Sequence, residues 1–312
     1  MCRDSSAADS SGKTSPGLAD LCRQSLLAAF RTAAYASTAA AILASLLFTP
    51  ATSWGSDTDM SIQVLDVGQG DAMILHQPGA CSALIDAGPL GSGHRVTAGV
   101  RKLGVDVLDM VIISHPHLDH FGGLFDLLPR IQTNFLYDNG RENPAWEYFD
   151  DYRTLRTGQP YQVLAQGDQL SCGDIQIDVL HPPSSSEPGA GLNDNSLVFL
   201  ISFGDFRMLH MGDLAGRAAE GFITAHPDLS ADIVKIAHHG AADAASEALL
   251  AGVSPAYGVI STASTNRIGS PADSVLARLK RLEIPFFRTD LDGDIEVLIS
   301  QKDYRINSSS TR

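Results

Sequence analysis

The chain has 312 residues, 44% of them hydrophobic and 7% aromatic, and a net charge of −14. That length and apolar fraction suit one large α/β domain or two small ones, with a substantial core. The acidic balance disfavours a basic groove that holds nucleic acid nonspecifically, while a phosphoester substrate stays open because bound metal supplies local positive charge.

Arg23 and Arg31 precede an uncharged stretch from Thr32 to Ser56, whose centre, Ala33 to Phe48, is rich in Ala and Leu. Ala51 and Ser53 follow in the small-residue spacing that a signal peptidase accepts. Residues 1–59 therefore read as an export signal cleaved after Ser53, or as an uncleaved anchor, plus a linker; the folded domain is residues 60–312. The apolar centre is short and alanine-heavy for a spanning helix. The expected location is secreted or periplasmic, with membrane attachment only through an uncleaved N-terminal segment. Cys2 and Cys22 would leave with the signal. Cys81 and Cys172 would remain and could be joined after export, but the sequence does not place them together. Without a C-x-x-C pair, a cysteine-built metal site is not expected.

From Met60 onward, strand and helix patterns alternate. A strand at Ser61 to Val67, the turn Gly68-Gln69-Gly70-Asp71 and strands at Ala72 to His76 and Ser82 to Asp86 come first. A helix is predicted over Val96 to Leu103, then a buried strand over Leu108 to Ile113, then a helix from Gly122 to Leu128 stopped by Pro129. A strand at 131–137 precedes a helix over Trp146 to Leu155, on an insertion rich in charge and aromatics. The strand Asp174 to Leu180 ends at His181-Pro182-Pro183, and a soft loop, Ser184 to Gly191, follows. A hairpin turns around Gly204-Asp205, and a helix spans Ala215 to Ala225. The strand Asp232 to Ala237 ends at His238-His239-Gly240. A short helix (Ser246 to Ala251), a strand (Tyr257 to Ser261), a helix (Ser274 to Leu282) and a last strand (Ile295 to Ile299) complete the pattern. Two mixed sheets packed together with helices outside would bury these strands. Asp66, Asp86, His115, His181, Asp213 and His238 recur at strand ends, which predicts one site along one edge of both sheets.

His115-Pro116-His117-Leu118-Asp119-His120 is the densest chemical signal. Imidazole nitrogens and carboxylate oxygens are ligands for a borderline cation such as zinc. His115 and His117 alternate on an extended segment and can reach one ion. Asp119 and His120, on the turn into the next helix, can reach a second. Asp213 ends an apolar strand and could bridge the two; its local alternative is to cap the helix before Leu214. His181 is the candidate third ligand of the first ion, and His210, within a strand, reads as structural. If His238 and His239 lie on an extended strand end, they face opposite ways. One, taken as His238, would ligate metal, and the other, His239, would meet substrate or support the site.

These residues resemble the metallo-β-lactamase superfamily, and more closely the hydrolase domain of the competence protein ComEC and its stand-alone relatives. The matching stretches are Leu65 to Ala72, Leu84 to Gly88, Ser114 to Gly123, Val179 to Pro182, Asn195 to Leu197, Gly212-Asp213, Lys235 to Gly240 and Arg288 to Gly293. The resemblance implies a four-layer αβ/βα sandwich with a two-metal hydrolytic site, holding zinc or manganese. At such a site, hydroxide between the two ions is expected to attack phosphorus, with Asp119 orienting the nucleophile and His239 neutralising developing charge. Asp66, Asp71 and Asp86 read as supports. Relatives commonly carry Asp in place of His117, and Gly-His-Pro where this chain has Gly269-Ser270-Pro271. Ser270 would ligate poorly, so the second ion is expected to bind more weakly than the first. The expected function is an exported phosphodiesterase acting on a small-molecule or phosphoester substrate. Amide or lactone hydrolysis, or a metal-stabilised binding module without catalysis, are the alternatives.

Overall fold

The computed structural model describes residues 58–184, 191–266 and 269–310. The expected export segment lies outside these residues, as does most of the soft loop after His181. In the first half, strands β1 (Met60–Val64), β2 (Ala72–Gln77) and β3 (Cys81–Ala87) lead into helix α1 (Gly93–Lys102). Strands β4 (Val107–Leu108) and β5 (Met110–Ile112) lead into helices α2 (Leu118–Phe121) and α3 (Leu124–Leu127). Strands β6 (Gln132–Thr133) and β7 (Leu136–Asp138), helix α4 (Phe149–Thr157) and strand β8 (Tyr161–Val163) follow.

The second half opens with β9 (Gln169–Cys172), β10 (Ile175–His181), β11 (Val198–Phe203) and β12 (Phe206–His210). It then alternates: α5 (Gly216–Ala225), β13 (Ile233–Lys235), α6 (Glu247–Val253), β14 (Tyr257–Ile260), α7 (Asp273–Arg281), β15 (Phe286–Arg288) and α8 (Thr289–Asp292). Strands β16 (Ile295–Ile299) and β17 (Tyr304–Ser308) close the chain.

One sheet runs β17-β16-β1-β2-β3-β5-β7-β8, the other β15-β14-β13-β12-β11-β10-β9, and β4 pairs with β6 apart from both. Each sheet is antiparallel along its hairpins and parallel where helices intervene, as at β3 with β5 and β12 with β13. Strands buried on both faces explain the near-continuous apolar runs. Along β2, Met73 and Leu75 join the core between the sheets, while Ala72 and Ile74 join the core beneath the first helical layer. A third core packs β11 to β14 against α5, α6 and α7. Three apolar interfaces between successive layers make a four-layer helix–sheet–sheet–helix sandwich. Among the described residues, no helix is long and apolar enough to cross a membrane.

Several expected elements are redrawn. The strand expected at Leu108 to Ile113 breaks at Asp109, whose N–H donates to the Ser82 carbonyl (2.8 Å) while its carboxylate accepts from the Ser82 N–H (2.9 Å). The helix expected from Gly122 starts a turn earlier, at Leu118, and restarts at Leu124. Ile295–Ile299 is not the last strand, because β17 pairs with it. The short strands β8, β9 and β15 carry too little alternation to be read from sequence. Asp213 does not cap a helix, since α5 begins at Gly216 with Ala215 before it.

Cys81, which starts β3 in one sheet, is disulfide-bonded to Cys172, which ends β9 in the other, with Cα atoms 5.2 Å apart. The bond ties the two sheets together at the end of β3 remote from Asp86.

Candidate metal centre

The carboxyl ends of β3, β5, β12 and β13 meet along one edge, the place where open α/β sheets bind ligands. Strand β5 and the following Ile113 are fully buried apart from Met110, so the chain leaves the core with Ser114 and His115 still buried. A tight turn follows, in which the His117 N–H donates to the His115 carbonyl at 2.9 Å. Helix α2 then begins at Leu118, which puts Asp119 and His120 in its first turn. The two halves of the motif therefore aim from different backbone conformations at the same space.

Two glycines allow this approach. A Cβ at Gly123 would lie 1.9 Å from the Ala87 carbonyl oxygen, so only glycine lets the motif sit on the end of β3. A Cβ at Gly70 would lie 2.3 Å from the Asp119 carbonyl oxygen. That carbonyl accepts the Asp71 N–H at 3.2 Å, docking the β1–β2 turn under the motif.

His115, His120 and Asp213 bring one ligand atom each within 4.8 Å of one another, as do Asp119, His120 and His239. Asp213 Oδ2 lies 3.6 Å from His115 Nε2, 3.4 Å from His120 Nε2 and 3.9 Å from His239 Nε2, central to both groups. His117 Nδ1 lies 2.8 Å from His115 Nε2. Asp119 Oδ2 lies 3.2 Å from His239 Nε2 and 4.0 Å from His120 Nε2.

Supporting contacts fix which ring nitrogens face inward. His120 Nδ1 donates to Asp86 Oδ2 at 2.8 Å, and Asp86 is held by the Ser114 N–H (2.7 Å) and hydroxyl (2.8 Å). His239 Nδ1 donates to the Ser261 carbonyl at 3.1 Å. In both rings Nε2 is left for the centre, which is how a second hydrogen bond sets the tautomer of a ligating histidine. Behind His239, Asp71 pairs with the buried Lys235 ammonium at 2.6 Å and places its other oxygen 3.5 Å from His239 Nδ1.

Burial alone would lower the His120 pKa, but Asp213, Asp86 and Asp119 together hold it well above its ordinary value. His239 is pushed up to about 10 against the same burial, by Asp213 and Asp71. Asp213 is held well below the carboxylate range and Asp119 at about 2, both against burial, with His120 the leading cause. His115 is lowered by burial and by His120. The centre is thus a concentration of buried negative charge that takes up positive charge, from protons or from a cation. His120 Nε2, which faces it, and the buried Asp213 Oδ1 have no hydrogen-bond partner. Buried unsatisfied polar atoms cost about 1–3 kcal/mol each, and a divalent ion at the centre would satisfy His120 Nε2. Imidazole and carboxylate donors in this arrangement fit zinc or manganese.

The structure separates the His238-His239 pair differently from an extended strand. Both sit on a 3-10 turn, Ala237–Gly240, with φ of 49° and 54°. Left-handed backbone at two successive non-glycine residues is uncommon and is characteristic of functional sites. This turn sends His239 into the centre, while His238 Nε2 accepts from Asn193 Nδ2 at 3.3 Å. His239, not His238, therefore stands beside Asp119 and His120. His181 belongs to neither group; its Nδ1 donates to the Ser196 carbonyl at 3.0 Å, the same kind of support that leaves Nε2 free in His239, and it lines a cavity of about 560 Å³ with Phe222, His226 and Asp243. Ser270 is buried with its hydroxyl unpartnered. Lys235 carried no sequence signal of its own beyond the family stretch, because its partner Asp71 is 164 residues away.

A family model for the metallo-beta-lactamase superfamily matches residues 65–264. ComE operon protein 3 of Bacillus subtilis is 28% identical over 255 residues, covering 75% of this chain and 32% of that protein. Recombination protein 2 of Haemophilus influenzae is 26% identical over 264 residues, covering 80% of this chain and 30% of that protein. The chain spans about a third of the length of the curated relatives it matches. Among solved structures, YhfI, a metallo-beta-lactamase fold protein of Bacillus subtilis, superposes with a TM-score of 0.50 at 14% identity, over 79% of this chain and 100% of that one. That likeness shows the shared fold.

Proposed function

Because this chain belongs to the metallo-β-lactamase superfamily, whose fold is that of metal-dependent hydrolases, we propose that it is an exported phosphodiesterase. The observation that carries the reading is the convergence of His115, His120, His239, Asp119 and Asp213 on one buried point. His115, His117 and Asp213 would hold one divalent ion, and Asp119, His120, His239 and Asp213 the other. His239 thereby takes the ligand role that sequence spacing gave to His238. Bound ions there would supply Lewis acidity and lower the pKa of a coordinated water toward neutrality.

The chain's own groups do the positioning. Asp86 and Ser114 hold the His120 ring, and the Ser261 carbonyl holds that of His239, so neither ring must reorganise during turnover. Asp119, partly exposed and held ionised, can accept a hydrogen bond at Oδ2 from an attacking water and so orient it. The buried Lys235–Asp71 pair keeps a second carboxylate against His239. A relative named for recombination supports a phosphodiester centre over an amide or lactone. Export is supported by the Cys81–Cys172 disulfide, because such bonds persist in oxidising compartments.

The test is a panel of bis-aryl phosphodiesters, nitrocefin and lactones, offered to zinc- and manganese-loaded protein and to Asp119→Ala. Turnover of the phosphodiester alone, lost in Asp119→Ala, is the expected result. Turnover of nitrocefin or a lactone in its place overturns the substrate assignment, and N-terminal sequencing that finds Met1 on cytoplasmic protein overturns export.

A further inference from the structure

The segment between β7 and α4, residues 139–148, is braced against the metal motif. Asn143 Nδ2 donates to the Pro116 carbonyl at 2.9 Å, and Asn139 Nδ2 to the Asn195 carbonyl at 2.8 Å; both side chains are buried. Behind them the buried Asp138 carboxylate accepts from the Tyr152 hydroxyl (2.7 Å), the Tyr161 hydroxyl (2.6 Å) and the Arg156 guanidinium (3.0 Å). This frame sets Trp146, whose N–H donates to the Asn143 carbonyl at 3.1 Å, beside His117 with ring centroids 5.2 Å apart.

Trp146 is nonetheless 49% exposed, the most exposed large hydrophobic among the described residues. Two residues on, Tyr148 holds a left-handed backbone at φ 69°, a costly conformation for a bulky residue. Folding ordinarily turns an indole inward. Here a cross-braced and strained turn holds one out at the rim of the metal centre. A half-exposed aromatic ring carried on a braced backbone, and packed against His117, offers a large stacking area for the loss of only two side-chain torsions on binding.

We propose that Trp146 is a substrate-selecting platform, which stacks on a planar aryl or heteroaryl ring attached next to the reacting phosphoryl group. The identity of that reacting group rests on the phosphodiesterase reading; the stacking does not. A ring joined through one atom to a phosphoryl group near His117 meets the indole, whereas an alkyl chain in the same place gains no face-to-face contact.

The chain has two tryptophans, Trp54 and Trp146. In a Trp54→Phe background Trp146 is the sole indole reporter. Zinc-loaded protein is titrated with 4-nitrobenzylphosphonate, whose nitroaryl ring quenches indole fluorescence, and with butylphosphonate. Expected are quenching by the aryl compound only and tighter aryl binding by calorimetry. Trp146→Ala should weaken the aryl compound by about tenfold or more and leave the butyl compound unchanged, and Trp146→Phe should keep most of the aryl affinity. Zinc content should match in all three proteins. Equal weakening of both compounds, zinc loss in Trp146→Ala, or no aryl preference in the wild type would each reduce Trp146 to packing against His117. If the wild type binds the aryl compound preferentially but turns over no phosphodiester, the phosphodiesterase reading fails and the platform stands.

Discussion

Replacing both Cys81 and Cys172 with alanine should cost about 3–4 kcal/mol of stability, because their bond closes a long loop in the unfolded chain. The cysteines are 91 residues apart in sequence. The chain-entropy relation for a loop of that size gives about 4.6 kcal/mol at 25 °C. A denatured state more compact than a random coil already lacks part of that entropy, which brings the figure down to about 3–4 kcal/mol. For a domain of this size the melting temperature should fall by about 7–10 °C. The assay is urea unfolding of wild type and the double variant, followed by circular dichroism at equal metal loading. The variant should fold to the same spectrum and reach its midpoint at lower urea, since the cross-link acts mainly on the unfolded state. A difference below about 1 kcal/mol would refute the loop argument. Thiol titration of unreduced native protein that finds both cysteines free would remove its premise and the support it gives to export.

Purified residues 54–312 should carry zinc or manganese, and His115→Ala/His117→Ala should lose most of it; elemental analysis that finds no transition metal in the wild type would sink the centre. Ser270→His should alter neither metal affinity nor rate, because His239 already stands with Asp119 and His120; a metal titration in which the variant binds its second ion more tightly would contradict this. Gly123→Ala should destabilise by about 1–3 kcal/mol or more, since its methyl would meet the Ala87 carbonyl at 1.9 Å; an unchanged melt would mean that the motif can shift away from β3. Burial, then Asp138, raises the pKa of Tyr152 and Tyr161 above 10.0. The unfolded chain therefore loses these protons first as pH rises, so stability is full below about pH 10 and falls above it. Urea midpoints at pH 8 and pH 10.5 should show that fall, and Asp138→Asn should lessen it; a flat wild-type profile would remove the network's role.

Much of the fold was legible in the chain itself, because apolar periodicity and turn residues are local properties. The strands at the start of each half, the helices after them and the position of His115 to His120 at the end of a buried strand follow from that pattern. The chemistry of the centre was legible for the same reason: three imidazoles and a carboxylate within six residues need no tertiary information to suggest a cation. The long-range partners were not. Which of His238 and His239 turns inward depends on a left-handed 3-10 turn that an extended reading of β13 would not give. His181 ends its strand as expected, but that its Nδ1 is held by the Ser196 carbonyl is a contact that hydrophobic patterning cannot encode, and neither can it encode the Ser261 carbonyl's hold on His239. Asp71 meets Lys235, Cys81 meets Cys172 and Trp146 meets His117 only because two sheets and an insertion pack in one register. Sequence spacing sets where a side chain sits along its own strand, but the pairing of strands from distant parts of the chain decides what it faces.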